Sequence, residues 1–188
     1  MAQESELTEV LFETDRLILR RVQPGDLELF KKLFCDPGMM RYLGEPWTEE
    51  ETESTMNEWW EEWGRNNYYY GVILRKDTSE AIGIAGFTED THPEEKGMEF
   101  SWFILPEHQK NGFASEITRG LKQYVFGTLK KERLFGETHP DNPASNRVLQ
   151  KLGFKNMGIR NQSYDFLPGF DRQVIWEIRR EDWESEEN

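Results

Sequence analysis

The most specific part of this chain reads Pro106-Glu107-His108-Gln109-Lys110-Asn111-Gly112-Phe113-Ala114. It follows a strand pattern over Met98 to Leu105 and runs into helical spacing at Ile117 and Leu121. The first amides of a helix have no internal partners, and the helix dipole places positive charge there, so such a junction can bind an anion. The small residues Gly112 and Ala114 would let a diphosphate approach the backbone. An ordinary strand-to-helix loop with a glycine turn is the alternative.

The remaining pattern predicts one domain in which strands and helices are mixed. A capping box at Thr48 and Glu51 predicts a helix that carries Met56, Trp59, Trp60 and Trp63 along one stripe. A shorter helix follows Pro24-Gly25-Asp26, and another begins after Asn142. The predicted strands are Arg16 to Val22, Tyr68 to Leu74, Ala81 to Phe87, Met98 to Leu105, Arg133 to Thr138, Met157 to Phe166 and Gln173 to Arg179.

Motifs along the chain resemble those of the GNAT acetyltransferases. Gln109-x-x-Gly112-x-Ala114 is similar to the family signature Gln/Arg-x-x-Gly-x-Gly/Ala, and Glu116 follows as in the branch that includes the ribosomal-protein N-acetyltransferases. The block Asn142-x-x-Ser145 with Lys151-Leu152-Gly153-Phe154 matches the same branch. The segment Thr14 to Arg20 resembles the usual N-terminal sequence of that branch, and Arg180 to Trp183 resembles its usual C-terminal sequence.

This resemblance covers residues 14–183 as a single domain, and residues 1–13 and 184–188 are expected to be flexible tails. It implies an α+β fold with α/β/α layers. The expected central sheet is mixed, mostly antiparallel and of about six to seven strands, with about four flanking helices. The family also implies that Met98 to Leu105 and Arg133 to Thr138 separate to admit the cofactor.

Composition narrows the possible partners. The chain of 188 residues carries 23 basic and 36 acidic residues, so its net charge is −13. Binding to a phosphate backbone requires the opposite charge, and no nucleic-acid partner is expected. A negative field favours an amine-bearing substrate, although acidity that serves only solubility is the alternative.

Cysteine usage and hydropathy bear on the compartment. The single cysteine, Cys35, excludes an internal disulfide and is interpreted as a buried packing residue. The start, Met1 to Val10, is acidic and polar, unlike a signal peptide, and no run approaches the roughly 20 apolar residues that span a bilayer. The expected location is the cytoplasm, away from membranes.

The resemblance implies acetyl-CoA as the cosubstrate, with no metal. Asn142 also reads as a plain helix N-cap, and Ser145 as a first-turn helix residue. By resemblance Asn142 lies near the pantetheine arm, and Ser145 is the candidate that protonates the departing thiolate. The expected cofactor-binding residues are Phe103, Ile104, Leu105, Gln109, Lys110, Asn111, Gly112, Phe113, Ala114, Ser115, Asn142 and Ser145.

A primary amine is mostly protonated at neutral pH, so the reaction needs a proton acceptor or a water relay. Glu99 is the candidate base, because a carboxylate within so apolar a strand is costly unless it faces a cleft or a partner. A structural ion pair is the alternative role of Glu99. His108 and His139 are possible relays, with surface placement as the alternative, and the scattered histidines show no metal-ligand spacing.

The acceptor pocket is expected to be aromatic and acidic, which suits a cationic ligand. A core role for at least two of Trp59, Trp60 and Trp63 is the competing interpretation of that helix. The acidic loop Glu89 to Gly97 is either related to the acceptor or keeps a hairpin in solution. The expected acceptor residues are Glu53, Trp60, Tyr70, Glu99 and Ser101.

Three functional classes compete. The first is an N-acetyltransferase in which a protein N-terminus or a small cationic amine attacks acetyl-CoA directly, in a monomer or homodimer. The second is a non-catalytic CoA-binding sensor or interaction module. The third, a nucleotide-binding enzyme, lacks both Gly-x-x-x-x-Gly-Lys and Gly-x-Gly-x-x-Gly.

Overall fold

The computed structural model describes residues 9–89, 97–164 and 167–186. Strands and helices are mixed along the described chain, with short 3-10 turns between several of them. The strands are β1 Val10–Glu13, β2 Leu17–Arg21, β3 Tyr69–Arg75, β4 Ala81–Glu89, β5 Met98–Ile104, β6 Arg133–Thr138, β7 Lys155–Asn161 and β8 Arg172–Arg179. The helices are α1 Leu27–Phe34, α2 Pro37–Met40, α3 Glu49–Glu62, α4 Phe113–Lys122, α5 Pro143–Lys151 and α6 Arg180–Glu186, with a π-helical turn, Gln123–Thr128, after α4.

All the described strands form one sheet in the order β1-β2-β3-β4-β5-β6-β8-β7. Each neighbouring pair is antiparallel except β5 and β6, which are parallel. The layered α+β fold is therefore confirmed, but the sheet has eight strands where six to seven were expected. The additional strand is β1, which four residues form at the edge of the sheet by pairing with β2 alone.

Some predicted boundaries differ from the structure. Strand β1 lies in the segment expected to be a tail, and α6 extends to Glu186 at the other end. Strand β7 ends at Asn161, because its pairing with β8 stops where Asn161 meets Arg172. Phe166 and residues 90–96 of the acidic loop lie outside the described residues.

Two apolar layers enclose the sheet. On one face, α4 and α5 bury Ile117, Leu121 and Leu149 against β5 residues such as Phe100. On the other face, α1 and α3 pack against β3 and β4, with Phe30 fully buried. Burying each such side chain contributes about 1.5–3 kcal/mol to the free energy of folding, and this is the main stabilisation of both layers.

Helix α3 begins as the sequence predicts. The Thr48 hydroxyl accepts a hydrogen bond from the amide of Glu51, whose side chain bonds back to Thr48. Trp63 is buried, and the Trp59 ring packs 5.3 Å from that of Phe30, so the core interpretation holds for these two tryptophans. None of the helices in the described part of the chain is long and apolar enough to span a membrane.

Candidate active site

A cleft of about 740 Å³ opens where β5 and β6 separate. These strands pair only at Met98 with Leu134 and at Glu99 with Phe135, and no pairing follows toward their carboxyl ends among the described residues. The expected splaying of the two strands is therefore confirmed. The cleft is lined by β5 from Phe100 to Ile104, by Gly136 to His139, by the first turns of α4 and α5, and by the segment from Asp36 to Leu43.

Alternation along β5 decides which of its backbone groups face the cleft. The Leu105 amide donates to the Ile82 carbonyl at 2.9 Å, and the register places Phe103 opposite Ile84. Phe103 and Leu105 therefore direct their amides to β4, and those of Trp102 and Ile104 point toward β6. Of the three expected cofactor-binding residues on this segment, Ile104 therefore directs its amide toward the gap, whereas the amides of Phe103 and Leu105 do not.

The loop between β5 and α4 bends through two left-handed residues, Lys110 with φ of 63° and Gly112 with φ of 82°. Helix α4 begins directly after Gly112, and its first described backbone bond runs from the Glu116 amide to the Gly112 carbonyl at 3.0 Å. The amides of Phe113, Ala114 and Ser115 therefore have no intrahelical partner. We refer to these three amides as the anion cradle, because they lie at the junction where the sequence predicts anion binding.

Side chains of the loop hold its shape. The side-chain amide nitrogen of Gln109 donates to the Ile104 carbonyl at 2.8 Å and so holds the loop against β5. The Asn111 side chain donates to the carbonyls of His108 and Gln109 at 3.2 and 3.1 Å. Gln109 and Lys110 line the cleft, whereas Asn111 lies outside its lining.

The N-terminal segment of the domain holds α4 in place. Glu116 accepts hydrogen bonds from the Thr14 hydroxyl at 2.7 Å, from the Arg16 amide at 2.8 Å and from the Arg16 side chain at 2.6 Å. Burial acts to raise the pKa of Glu116, but these bonds outweigh burial and leave the pKa below its ordinary value. Two motifs that are distant in sequence therefore meet behind the anion cradle.

Helix α5 brings both of its predicted residues to the cleft. The Asn142 side-chain oxygen accepts the Ser145 amide at 3.2 Å, so Asn142 is an N-cap as well as a lining residue. The Ser145 hydroxyl lines the cleft and makes no hydrogen bond to another described residue. Beside them, Asn146 accepts bonds from Thr138 at 2.5 Å and from Trp176 at 3.0 Å, which fixes α5 against β6 and β8.

The predicted acceptor residues are only partly brought together. Ser101 lines the cleft, and its hydroxyl lies 3.5 Å from that of Tyr70. Burial, and then the charge of Glu99, raise the pKa of Tyr70 above its usual range. The Tyr70 ring packs 4.8 Å from the Trp59 ring, and Tyr70 itself lies outside the cleft lining.

The other acceptor candidates lie elsewhere. Glu53 is exposed on α3 and does not line the cleft. The Trp60 ring lies under the Arg21 guanidinium at 4.6 Å, and its carbonyl accepts a bond from Arg21, so it faces β2 instead of the cleft. Glu99 is half-buried on β5, also outside the cleft lining.

Several lining residues were missed from the sequence. Glu137 on β6 has a side chain that is 5% exposed, and an acidic residue inside a short apolar strand was the available signal. Tyr42 stacks on His139 at 5.8 Å, across the mouth of the cleft. His108, for which surface placement was the favoured alternative, is buried beside Glu80.

No group of three or more His, Cys, Asp or Glu side chains within the described ranges could hold a metal ion. The Cys35 sulfur lies 3.4 Å from the Thr52 hydroxyl and is half-buried.

Comparison with known proteins decides the family. The model of the acetyltransferase (GNAT) domain matches residues 16–155. The chain belongs to the GNAT acetyltransferase family. The predicted resemblance is thereby confirmed, and within the family the chain is an acetyltransferase.

Relatives of this GNAT chain carry related names. It is 34% identical over 154 residues to the uncharacterized N-acetyltransferase YoaA of Bacillus subtilis, covering 81% of this chain and 86% of that protein. It is 24% identical over 190 residues to the ribosomal protein uS5-alanine N-acetyltransferase of Escherichia coli, covering 95% of each.

Solved GNAT structures share the fold. An acetyltransferase from Bacillus anthracis superposes with a TM-score of 0.74 at 22% identity, covering 90% of this chain and 98% of that one. A spermidine N-acetyltransferase from Vibrio cholerae, in complex with CoA and spermine, gives a TM-score of 0.73 at 22% identity, covering 89% and 97%.

Proposed function

We propose that this GNAT protein transfers an acetyl group from acetyl-CoA to a primary amine by direct attack of the amine. The observation that carries the proposal is one continuous cleft that joins the α4 anion cradle, the separated strands and the Ser101 side of β5. A thioester lying in such a cleft would be reached from the opposite face of the sheet. Holding both reactants there makes the transfer effectively unimolecular, which can lower the barrier by about 7–11 kcal/mol.

The residues present suit the cofactor. The amides of Phe113 to Ser115 would bind the diphosphate, and Gly112 would let it approach the backbone. The Trp102 and Ile104 backbone groups would hold the pantetheine arm and polarise the thioester carbonyl. As the amine nitrogen bonds to the acetyl carbon and the carbon–sulfur bond breaks, the nitrogen would lose its proton to water. Ser145, which lines the cleft beside Asn142, would protonate the departing sulfur and recover its proton from water.

The acceptor is proposed to be a protein N-terminus or a small cationic amine. The net charge of −13 and the aromatic side chains that line the cleft, Tyr42 and Trp102 among them, favour a cationic ligand. Both acceptor types occur among the relatives, since one is named for an alanine of a ribosomal protein and another for spermidine.

Isothermal titration of acetyl-CoA into the wild type and into Gly112→Trp tests the cofactor site. Gly64→Trp is the matched control, because Gly64 also has a left-handed φ, 78°, but lies outside the cleft. We expect Gly112→Trp to lose binding and Gly64→Trp to keep it. Equal binding by all three proteins would contradict the proposed cradle.

A thiol-release assay with spermidine and an alanine-initiated peptide then tests turnover. Release of CoA that depends on the amine supports the transferase. Acetyl-CoA binding without turnover of any amine in the panel would contradict it and favour the non-catalytic sensor.

A further inference from the structure

Glu137 occupies a distinctive place in the cleft. It lies on β6, two residues beyond Phe135, which forms the last pair with Glu99 of β5. Side chains two residues apart in a strand share a face, so Glu137 lies on the face that carries Phe135 and Glu99. Continuing the register would set Glu137 opposite Ser101, at the point where the strands have separated.

The Glu137 carboxylate is buried yet lines the cleft. Its side chain is 5% exposed, and burying an ionised carboxylate is costly unless it is paired. The Tyr164 hydroxyl donates to one carboxylate oxygen at 2.8 Å, and the Arg160 guanidinium lies 3.4 Å from the other. These contacts pair the carboxylate and hold it in one orientation.

The other described carboxylates in or near the cleft, Asp36 and Glu99, do not combine burial with access to a ligand. Asp36 lines the cleft but is exposed, and it caps α2 by accepting the Met39 amide at 2.8 Å. Glu99 does not line the cleft. Among the described residues, Glu137 is therefore the buried carboxylate with access to a ligand in the cleft.

The surroundings of Glu137 combine the Tyr164 ring, the Arg160 guanidinium and the charge of a second carboxylate, Glu99. Burial raises the pKa of the Tyr164 hydroxyl above its usual range, and the charges of Glu137 and Glu99 raise it further. Both carboxylates therefore lie near Tyr164, from the two strands that separate. A cation entering between these strands would be attracted by both.

We propose that Glu137 binds the ammonium group of the acceptor beside Ser101, and that Tyr164 and Arg160 position its carboxylate. This inference rests on the proposed transfer to an amine, and it names the group that selects a positively charged acceptor over a neutral one. It assigns the recognition of charge to Glu137 instead of the exposed Glu53.

Steady-state kinetics of Glu137→Gln, with Glu137→Asp as the conservative variant, test the assignment. Spermidine and an alanine-initiated peptide serve as charged acceptors, and an arylamine that is neutral at pH 7 serves as the uncharged one. Hydrogen bonds to charged groups predict that Glu137→Gln raises KM for the charged acceptors by about 10- to 100-fold. The KM for acetyl-CoA and turnover of the arylamine are expected to stay within about twofold, and Glu137→Asp to recover part of the loss.

Two further variants separate recognition from structure. Tyr164→Phe removes only the hydroxyl that donates to Glu137, and it is expected to raise KM for charged acceptors several-fold and to spare the arylamine. Glu50→Gln, an exposed residue of α3, removes the same charge away from the cleft and should leave every constant unchanged.

The outcomes distinguish this inference from the proposed function. Wild-type turnover combined with an unchanged KM in Glu137→Gln would overturn the role of Glu137 and leave the transferase intact. Equal losses with charged and neutral acceptors would show a structural role and overturn it as well. No turnover of any acceptor by the wild type would overturn both.

Discussion

A single methyl group at Gly136 is expected to destabilise the fold and to weaken acetyl-CoA binding together. Gly136 is the first β6 residue beyond the last pair with β5, and it lines the cleft. A Cβ atom there would lie 3.0 Å from Cε1 of Phe100 and 3.1 Å from its carbonyl oxygen. Both distances are shorter than ordinary van der Waals contact, and Phe100 is 2% exposed, so its ring must move within the core.

The structure sets the size of this effect. Overpacking a buried position costs about 1–3 kcal/mol. In a domain of this length each kcal/mol lowers Tm by about 2–4 °C, so Gly136→Ala should lower Tm by about 2–12 °C. The rise in Tm caused by saturating acetyl-CoA should also shrink, because the displaced Phe100 ring narrows the cleft.

Differential scanning fluorimetry with and without acetyl-CoA measures both effects. Gly25→Ala is the matched control, since a Cβ at Gly25 meets nothing within 4 Å and the backbone there is not left-handed. It should keep or slightly raise Tm, because alanine restricts the unfolded chain. If Gly136→Ala matches Gly25→Ala in Tm and in its response to acetyl-CoA, the packing argument is refuted.

Two other charged contacts give separate predictions. Asp26→Ala leaves Arg20 buried without its two hydrogen bonds of 2.7 and 2.8 Å to Asp26. Chemical denaturation should therefore show that the free energy of unfolding falls by about 3–5 kcal/mol. A decrease under 1 kcal/mol would contradict the argument from burial. Glu116 has a lowered pKa, so its bonds to Thr14 and Arg16 stabilise the fold above the ordinary value of 4.5 and are lost as pH falls through the folded pKa. The Tm difference between wild type and Glu116→Gln should therefore be largest at neutral pH and should shrink as the pH falls below 4.5. A Tm difference that does not depend on pH would exclude this linkage.

Local signals explain why the loop before α4 and the start of α5 were predictable from the sequence. Gly112 marks a left-handed turn, and Asn142 marks a helix start, whatever packs around them. Each signal lies within a few residues of the feature that it predicts. The sequence therefore predicted the left-handed turn before α4 and the N-terminus of α5 correctly, and the binding of an anion there stays a prediction.

The acceptor side depends on contacts between distant segments. Helical spacing puts Trp59, Trp60 and Trp63 near one stripe, but it cannot show that Arg21 of β2 covers Trp60. Glu137 is a single acid in a six-residue strand, and its role is apparent only when β6 is seen to diverge from β5. The sequence pattern did not predict these contacts, because each depends on how distant segments pack in the folded chain.

The gap between β5 and β6 accounts for how two ligands could meet across one sheet. The face that packs on α4 and α5 carries the anion cradle and Ser145, whereas Glu137 shares the opposite face with Glu99. A ladder of hydrogen bonds continued beyond Glu99 would close the sheet between them, because neighbouring strands lie only about 4.8 Å apart. Under the proposed function, the acetyl group passes from one face to the other only because this pairing stops. Substitutions that extend the pairing should therefore slow transfer even when every residue that binds the cofactor or the acceptor is intact.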